Sequence, residues 1–149
     1  MTPQEMAAMA GQHIGTSEWV EISQERINTF ADATGDHQFI HVDPEKAKMT
    51  PFGGTIAHGF LTLSMIPYLT QNSDLPAIEG LKMGVNYGGN KTRFLNPVKS
   101  DKRIRGHWKL LEMVEKRPGQ WQQTTEVTIE IEGEDKPALI CEWIAMLFV

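Results

Sequence analysis

The sequence predicts an α+β fold in which one antiparallel sheet wraps around a single buried helix. Two observations carry that expectation. The first half of the chain holds an almost wholly apolar helical run from Gly59 to about Leu69. A helix apolar on nearly every side has to be surrounded by protein. From residue 78 onward the pattern turns to strands. Val127, Ile129 and Ile131 alternate with Thr128, Glu130 and Glu132, the period of a half-buried strand. Helices gathered on one face of an antiparallel sheet satisfy both demands.

Each element has a local reason. Thr2-Pro3-Gln4-Glu5 has the form of a capping box with proline at the first helical position, so a short helix should run to about Gly11. Glu18 to Ile22 looks like a first strand. Ser23 then caps a helix whose apolar Ile27, Phe30 and Ala31 fall three and four residues apart, and Gly35 ends it. Asp43-Pro44 starts another short helix through about Lys48. Thr50 to Gly54 is a loop. Pro67 kinks the apolar helix or ends its regular part. Gly84, Gly88 and Gly89 suggest a bulge in a long strand over Leu81–Phe94. Arg117-Pro118-Gly119-Gln120 and Gly133-Glu134-Asp135-Lys136 read as hairpin turns. The last strand, Ala138 to Phe148, is apolar on both faces except at Glu142, so it belongs inside the sheet.

Composition narrows the function. With 149 residues, 40% apolar and 22% charged, residues 1–149 read as one domain, of which 1–15 are an N-terminal helix and lead-in. A net charge of −5 with no basic block argues against nucleic acid and anionic membrane surfaces. No apolar run approaches the ~20 residues of a membrane span. The N-terminus has no basic start followed by an apolar stretch, so no signal peptide is expected and the protein is expected in the cytoplasm. The one cysteine, Cys141, has Ile140, Trp143 and Ile144 around it and reads as a small buried side chain. No His/Cys/Asp cluster has a metal spacing, so no metal is expected.

The stretch 30–62 carries the chemistry. Asp36 and His41 lie five residues apart. On a helix they would diverge by about 140°, and on a strand they would take opposite faces. They converge only if the segment between them is irregular, and Gly35 and Pro44 frame such a loop. They can form a proton-transfer pair, or Asp36 can cap something local while His41 is structural. His58 can act on a substrate or fix its loop by a hydrogen bond. His37 reads as partly exposed and His107 as lying on a polar strand face. Gly59 opens the apolar helix, where unpaired N–H groups and a partial positive charge favour a developing oxyanion. It can equally serve close packing of helix on sheet.

Together these residues resemble a known family. Phe30-Ala-Asp-Ala-Thr-Gly-Asp36, Ile40-His41-Val-Asp43 and Pro51-Phe-Gly-Gly-Thr-Ile-Ala-His-Gly59 are similar to the MaoC-like dehydratases, the (R)-specific enoyl-CoA hydratases. Asn86-Tyr-Gly-Gly-Asn-Lys-Thr-Arg-Phe94 is similar to the NodN-like branch. Gln38-Phe39 stands where many members have Asn-Pro, a feature of that branch. The resemblance implies the hot-dog fold and reversible hydration of a trans-2-enoyl-CoA to the (R)-3-hydroxyacyl-CoA. It implies Asp36 and His41 as the catalytic pair, Gly59 as the oxyanion donor, and substrate contacts by Gln38, Ile56, Ala57, His58, Asn86 and Arg93. CoA would be part of the substrate and no separate cofactor is implied. Lys91, Arg93, Lys99, Lys102 and Arg103 are candidates to meet its phosphates. A homodimer with its pocket near the subunit interface is also implied. Two alternatives stand beside it: a hot-dog acyl-CoA thioesterase, and a non-catalytic acyl-CoA or acyl-carrier binding protein.

Overall fold

A computed structural model describes residues 1–149. The local signals place most boundaries. Helix α1 (Pro3–Ala7) opens on a complete capping box, with Thr2 accepting from the Glu5 N–H and the Glu5 side chain accepting from the Thr2 N–H. It stops four residues short of Gly11, the remainder being turns. Strand β1 (His13–Thr16) follows, then β2 (Val20–Ile22), shorter than the strand expected from Glu18. Ser23 caps α2 (Gln24–Thr34), and Gly35 ends it at φ 81°, a left-handed conformation that glycine adopts without steric cost. One turn of helix, α3 (Phe39–Val42), was not foreseen. Asp43 caps α4 (Pro44–Ala47) by accepting from the Lys46 N–H.

The apolar run is two short helices, α5 (Gly59–Ser64) and α6 (Ile66–Gln71), which meet at Met65. The break lies where proline is expected to act, because Pro67 has no N–H to give to the preceding turn. Strands β3 (Met83–Phe94), β4 (Lys102–Arg117), β5 (Gln120–Ile131) and β6 (Leu139–Phe148) complete the fold. All pairings are antiparallel, in the order β1-β4-β5-β6-β3, with β2 also on β4. The β4–β5 and β5–β6 hairpins turn at the two predicted sites. Strand β6 lies inside the sheet, and β3 slips register between Asn86 and Gly88, where the glycines suggested a bulge.

The core forms where the sheet closes over the helix pair. Leu61, Met65, Ile66 and Leu69 meet Ile104, Trp108, Leu110, Val127, Ile129 and Leu139 in one cluster of 23 buried residues. The expectation of a helix enclosed on all sides is corrected here. Phe60 is 67% exposed and Tyr68 46%, because the chain's own sheet covers only the inner side of α5–α6. The edge strand β3 also exposes apolar side chains, Met83, Val85 and Tyr87. Cys141 is buried as expected, and burial pushes its thiol up to about 11, far from a nucleophile's range.

Candidate active site

The segment between Asp36 and His41 is irregular and then helical. Gly35 turns the chain out of α2, and the Gln38 N–H donates to Asp36 Oδ1 at 3.2 Å, which fixes the carboxylate over the start of α3. The single turn of α3 then carries His41 back towards it. A carboxylate oxygen of Asp36 and ring nitrogens of His41 and His58 all lie within 4.8 Å of one another. The acid and the histidine therefore converge, and a second histidine joins them.

His41 is 6% exposed. Its Nδ1–H donates to the Ile56 carbonyl at 2.7 Å. A carbonyl oxygen only accepts, so the proton sits on Nδ1 and the lone pair on Nε2. Burial holds the imidazole below its ordinary value. The Ile56 hydrogen bond opposes that, the field of His58 adds to it, and Asp36 opposes it weakly. His41 is thus a neutral base at neutral pH.

His58 is 3% exposed and stacks on His41 with ring centroids 3.9 Å apart. Its Nε2–H donates to the Asp36 main-chain carbonyl at 3.0 Å, and Phe30 packs on its other side at 4.9 Å. Of the two roles open to it in the sequence, this bond is the one that fixes a loop. Its Nδ1 is buried without a partner. Asp36, His41 and His58 have the donor types of a cation site.

Gln24 went unnoticed in the sequence. Its amide N–H donates to the His41 main-chain carbonyl at 2.7 Å, and its carbonyl accepts from the Thr55 hydroxyl. One side chain on α2 thus ties the His41 turn to the loop that supplies Ile56. Seventeen residues separate Gln24 from His41, and no local pattern carries such a link.

Gly59 opens α5, and the His58 side chain makes no capping hydrogen bond there, so the first N–H groups of the helix lack a side-chain cap. A Cβ at Gly59 would lie 2.8 Å from the Phe94 ring. Close packing is therefore one real reason for this glycine. The two properties coexist, since the face without a side chain holds Phe94 and the N–H direction is separate.

A cavity of about 270 Å³ joins His41, Gly59 and Phe94 to Ile56, Ala57 and Thr62. Phe52 separates it from a polar groove holding Lys48, Thr55 and Lys99. The remaining candidate residues fall elsewhere. Asn86 lies on β3, where its Oδ1 accepts from Trp143 Nε1–H, and it lines two other cavities. Arg93 is on the same strand and donates to the Thr92 carbonyl. Arg103 makes a two-pronged contact with Glu132, and Lys91 lies 3.5 Å from Glu142. His37 is exposed beside Asp32, and His107 donates to Glu130 on the outer face of the sheet.

Comparison with known proteins agrees with this architecture. The chain is 48% identical over 140 residues to 3-hydroxyacyl-thioester dehydratase Z of Mycobacterium tuberculosis, covering 94% of this chain and 91% of that one. It is 49% identical over 138 residues to Nodulation protein N of Rhizobium leguminosarum bv. viciae, covering 92% and 85%. Among solved structures, the (R)-hydratase from A. caviae superposes with a TM-score of 0.72 at 23% identity, covering 91% of this chain and 94% of that one. The MaoC-like dehydratase from Rhodospirillum rubrum superposes with a TM-score of 0.74 at 22% identity, covering 93% and 92%. The fold is the hot-dog fold of these proteins. The family described as MaoC like domain matches residues 5–133, and the chain belongs to the MaoC-like dehydratase family.

Proposed function

We propose that this chain is a hydro-lyase that adds water to a trans-2-enoyl-CoA, giving the (R)-3-hydroxyacyl-CoA, and catalyses the reverse dehydration. The observation that carries the proposal is the tautomer of His41. With Nδ1–H committed to Ile56, Nε2 keeps a free lone pair on a ring that has a nitrogen within 4.8 Å of an Asp36 carboxylate oxygen. Two acceptors side by side can hold both hydrogens of one water, which turns its oxygen lone pair towards C3 of the enoyl group. The hydroxide part bonds to C3, the π bond between C2 and C3 breaks, and one proton reaches C2, so one water is consumed per double bond. Positioned acid–base groups supply ~10²–10⁴ in rate. The Gly59 N–H polarises the thioester carbonyl as negative charge builds on its oxygen. No redox change accompanies the addition, and we assign no separate cofactor. CoA enters as part of the substrate.

Residues 1–149 would act as one folding unit in the cytoplasm; no helix is long and apolar enough to cross a membrane. Ile56 and Ala57 would flank the reacting end of the acyl group, in the cavity they share with His41. Gln38 and His58 would act by holding Asp36. The polar groove with Lys48 and Lys99 adjoins that cavity and suits the phosphates of CoA better than Arg103, which Glu132 already engages. The acyl chain would run the other way, along α5–α6.

Incubation with crotonyl-CoA tests the assignment. Loss of enoyl absorbance without free thiol is the expected result. Thiol release would instead mark a thioesterase, and an unchanged substrate would mark a binding protein.

The neutral state of His41 sets the pH dependence. Only the unprotonated Nε2 can accept from water, and its folded-state value lies below the ordinary 6.5. The acid limb of kcat/KM is therefore expected below pH 6.5. Stability should follow the same sign. The unfolded chain takes up the proton first, so this contribution is present above about pH 6.5 and is lost as pH falls through the lower folded value.

A homodimer is part of the proposal. The unpaired edge of β3, with Met83, Val85 and Tyr87, and the outer side of α5–α6, with Phe60 and Tyr68, leave apolar surface that a second copy would cover. Sedimentation should give the mass of two chains, and a Val85→Glu/Tyr87→Glu variant should shift towards one. A wild-type monomer at micromolar concentration would remove the dimer from the account.

A further inference from the structure

The inward row of β5 changes character along its length. Ile131, Ile129 and Val127 are apolar and fully buried, but the next two inward positions are Thr125 and Gln123. Those two sit in the wall of the largest cavity, about 500 Å³, between α6 and the sheet. Trp108 of β4 lines the same cavity. Its indole N–H is one of only two buried side-chain polar atoms in the protein with no hydrogen-bond partner, the other being His58 Nδ1. The Gln123 amide has only the Met113 sulfur, at 3.9 Å. Of the other polar groups in the wall, the Thr70 hydroxyl donates to the Ile66 carbonyl, Asn86 Oδ1 accepts from Trp143, and Gln71 is exposed to solvent. The free donors and acceptors thus gather at Trp108, Gln123 and Thr125. A purely hydrocarbon occupant would leave them dry and unpaired.

The cavity lies along the same helix pair as the candidate active site, with a groove between them. A middle groove of about 370 Å³, lined by Leu63 and Ile66, shares Pro67, Asn86 and Trp143 with it. Thr62, next in the chain to Leu63, lines the cavity of His41 and Gly59. A Cβ at Gly88, which lines the middle groove, would meet nothing within 4 Å. Eight residues separate Gly59 from Pro67, a helical rise of about 12 Å, the reach of a chain of roughly ten carbons.

We propose that the substrate is a long-chain enoyl thioester whose far end carries an oxygen, a hydroxyl or carbonyl bound among Trp108, Gln123 and Thr125. This inference rests on the hydratase reading for the reaction, and on the cavity alone for the ligand. A site built to bond a polar group discriminates against the analogue that lacks it, because its own groups are left unpaired.

The test compares trans-2-dodecenoyl-CoA with its 12-hydroxy derivative by kcat/KM, and dodecanoyl-CoA with 12-hydroxydodecanoyl-CoA by calorimetric Kd. The hydroxylated member of each pair should be preferred by about tenfold or more. Trp108→Phe should bring that ratio towards one. Thr125→Val, which nearly keeps side-chain shape, serves if Trp108→Phe fails to fold. A wild-type ratio of one or below, or a ratio that the folded variant leaves unchanged, overturns the proposal. Hydration of crotonyl-CoA without any preference would sink the inference and spare the hydratase. A preference in Kd without hydration of any enoyl-CoA would do the reverse.

Discussion

Asp36→Asn and His41→Ala are each expected to lower kcat/KM for enoyl-CoA hydration by ~10²–10⁴ while the fold persists. The size follows from what each change removes. Asp36→Asn keeps the oxygen that accepts the Gln38 N–H but replaces the other acceptor with a donor, so the water loses one of its two holders. His41→Ala removes the Nε2 lone pair and leaves the Ile56 carbonyl without its partner. Neither residue belongs to the main apolar cluster, so circular dichroism and a thermal melt should show a native fold. Near-native turnover by either variant would remove that residue from the mechanism.

The second large effect is expected at Gly59. In Gly59→Ala the new methyl lands 2.8 Å from the Phe94 ring, closer than carbon atoms pack. Either Phe94 moves or α5 shifts, and overpacking of this kind costs ~1–3 kcal/mol. A displaced α5 also carries its N–H away from the thioester oxygen, for which loss of one donor is worth ~10²–10³ in rate. A Gly59→Ala/Phe94→Leu double variant separates the two effects. Stability should return with the smaller side chain, and the rate should return only if α5 regains its place. Full activity in Gly59→Ala alone would mean that neither the contact nor the donor matters.

The local signals were legible because they are short. Thr2, Ser23 and Asp43 cap helices within three residues, Gly35 and Pro67 act on their own turns, and the alternation in 127–132 needs no partner to be seen. The demand that Asp36 and His41 meet through an irregular segment came from spacing alone, and the geometry meets it. Strand β1 was missed because His13-Ile-Gly-Thr16 has one apolar residue and a glycine; its pairing with β4 defines it. The supports of the site were hidden for a related reason. Gln24 on the His41 carbonyl, Ile56 on His41 Nδ1 and His58 on the Asp36 carbonyl span 15 to 22 residues, and tertiary structure alone brings them together. Exposure of Phe60 and Tyr68 was misjudged because an apolar pattern does not record which side of a helix the sheet covers.

The central claim is that water held by Asp36 and His41 adds to one face of the enoyl group. Chiral chromatography of the product from crotonyl-CoA, taken from the initial phase and set beside the Asp36→Asn variant, tests it most directly. The account predicts (R)-3-hydroxybutyryl-CoA from the wild-type chain and almost none from the variant. An (S) or racemic product, or an (R) product formed equally fast by the variant, would contradict it.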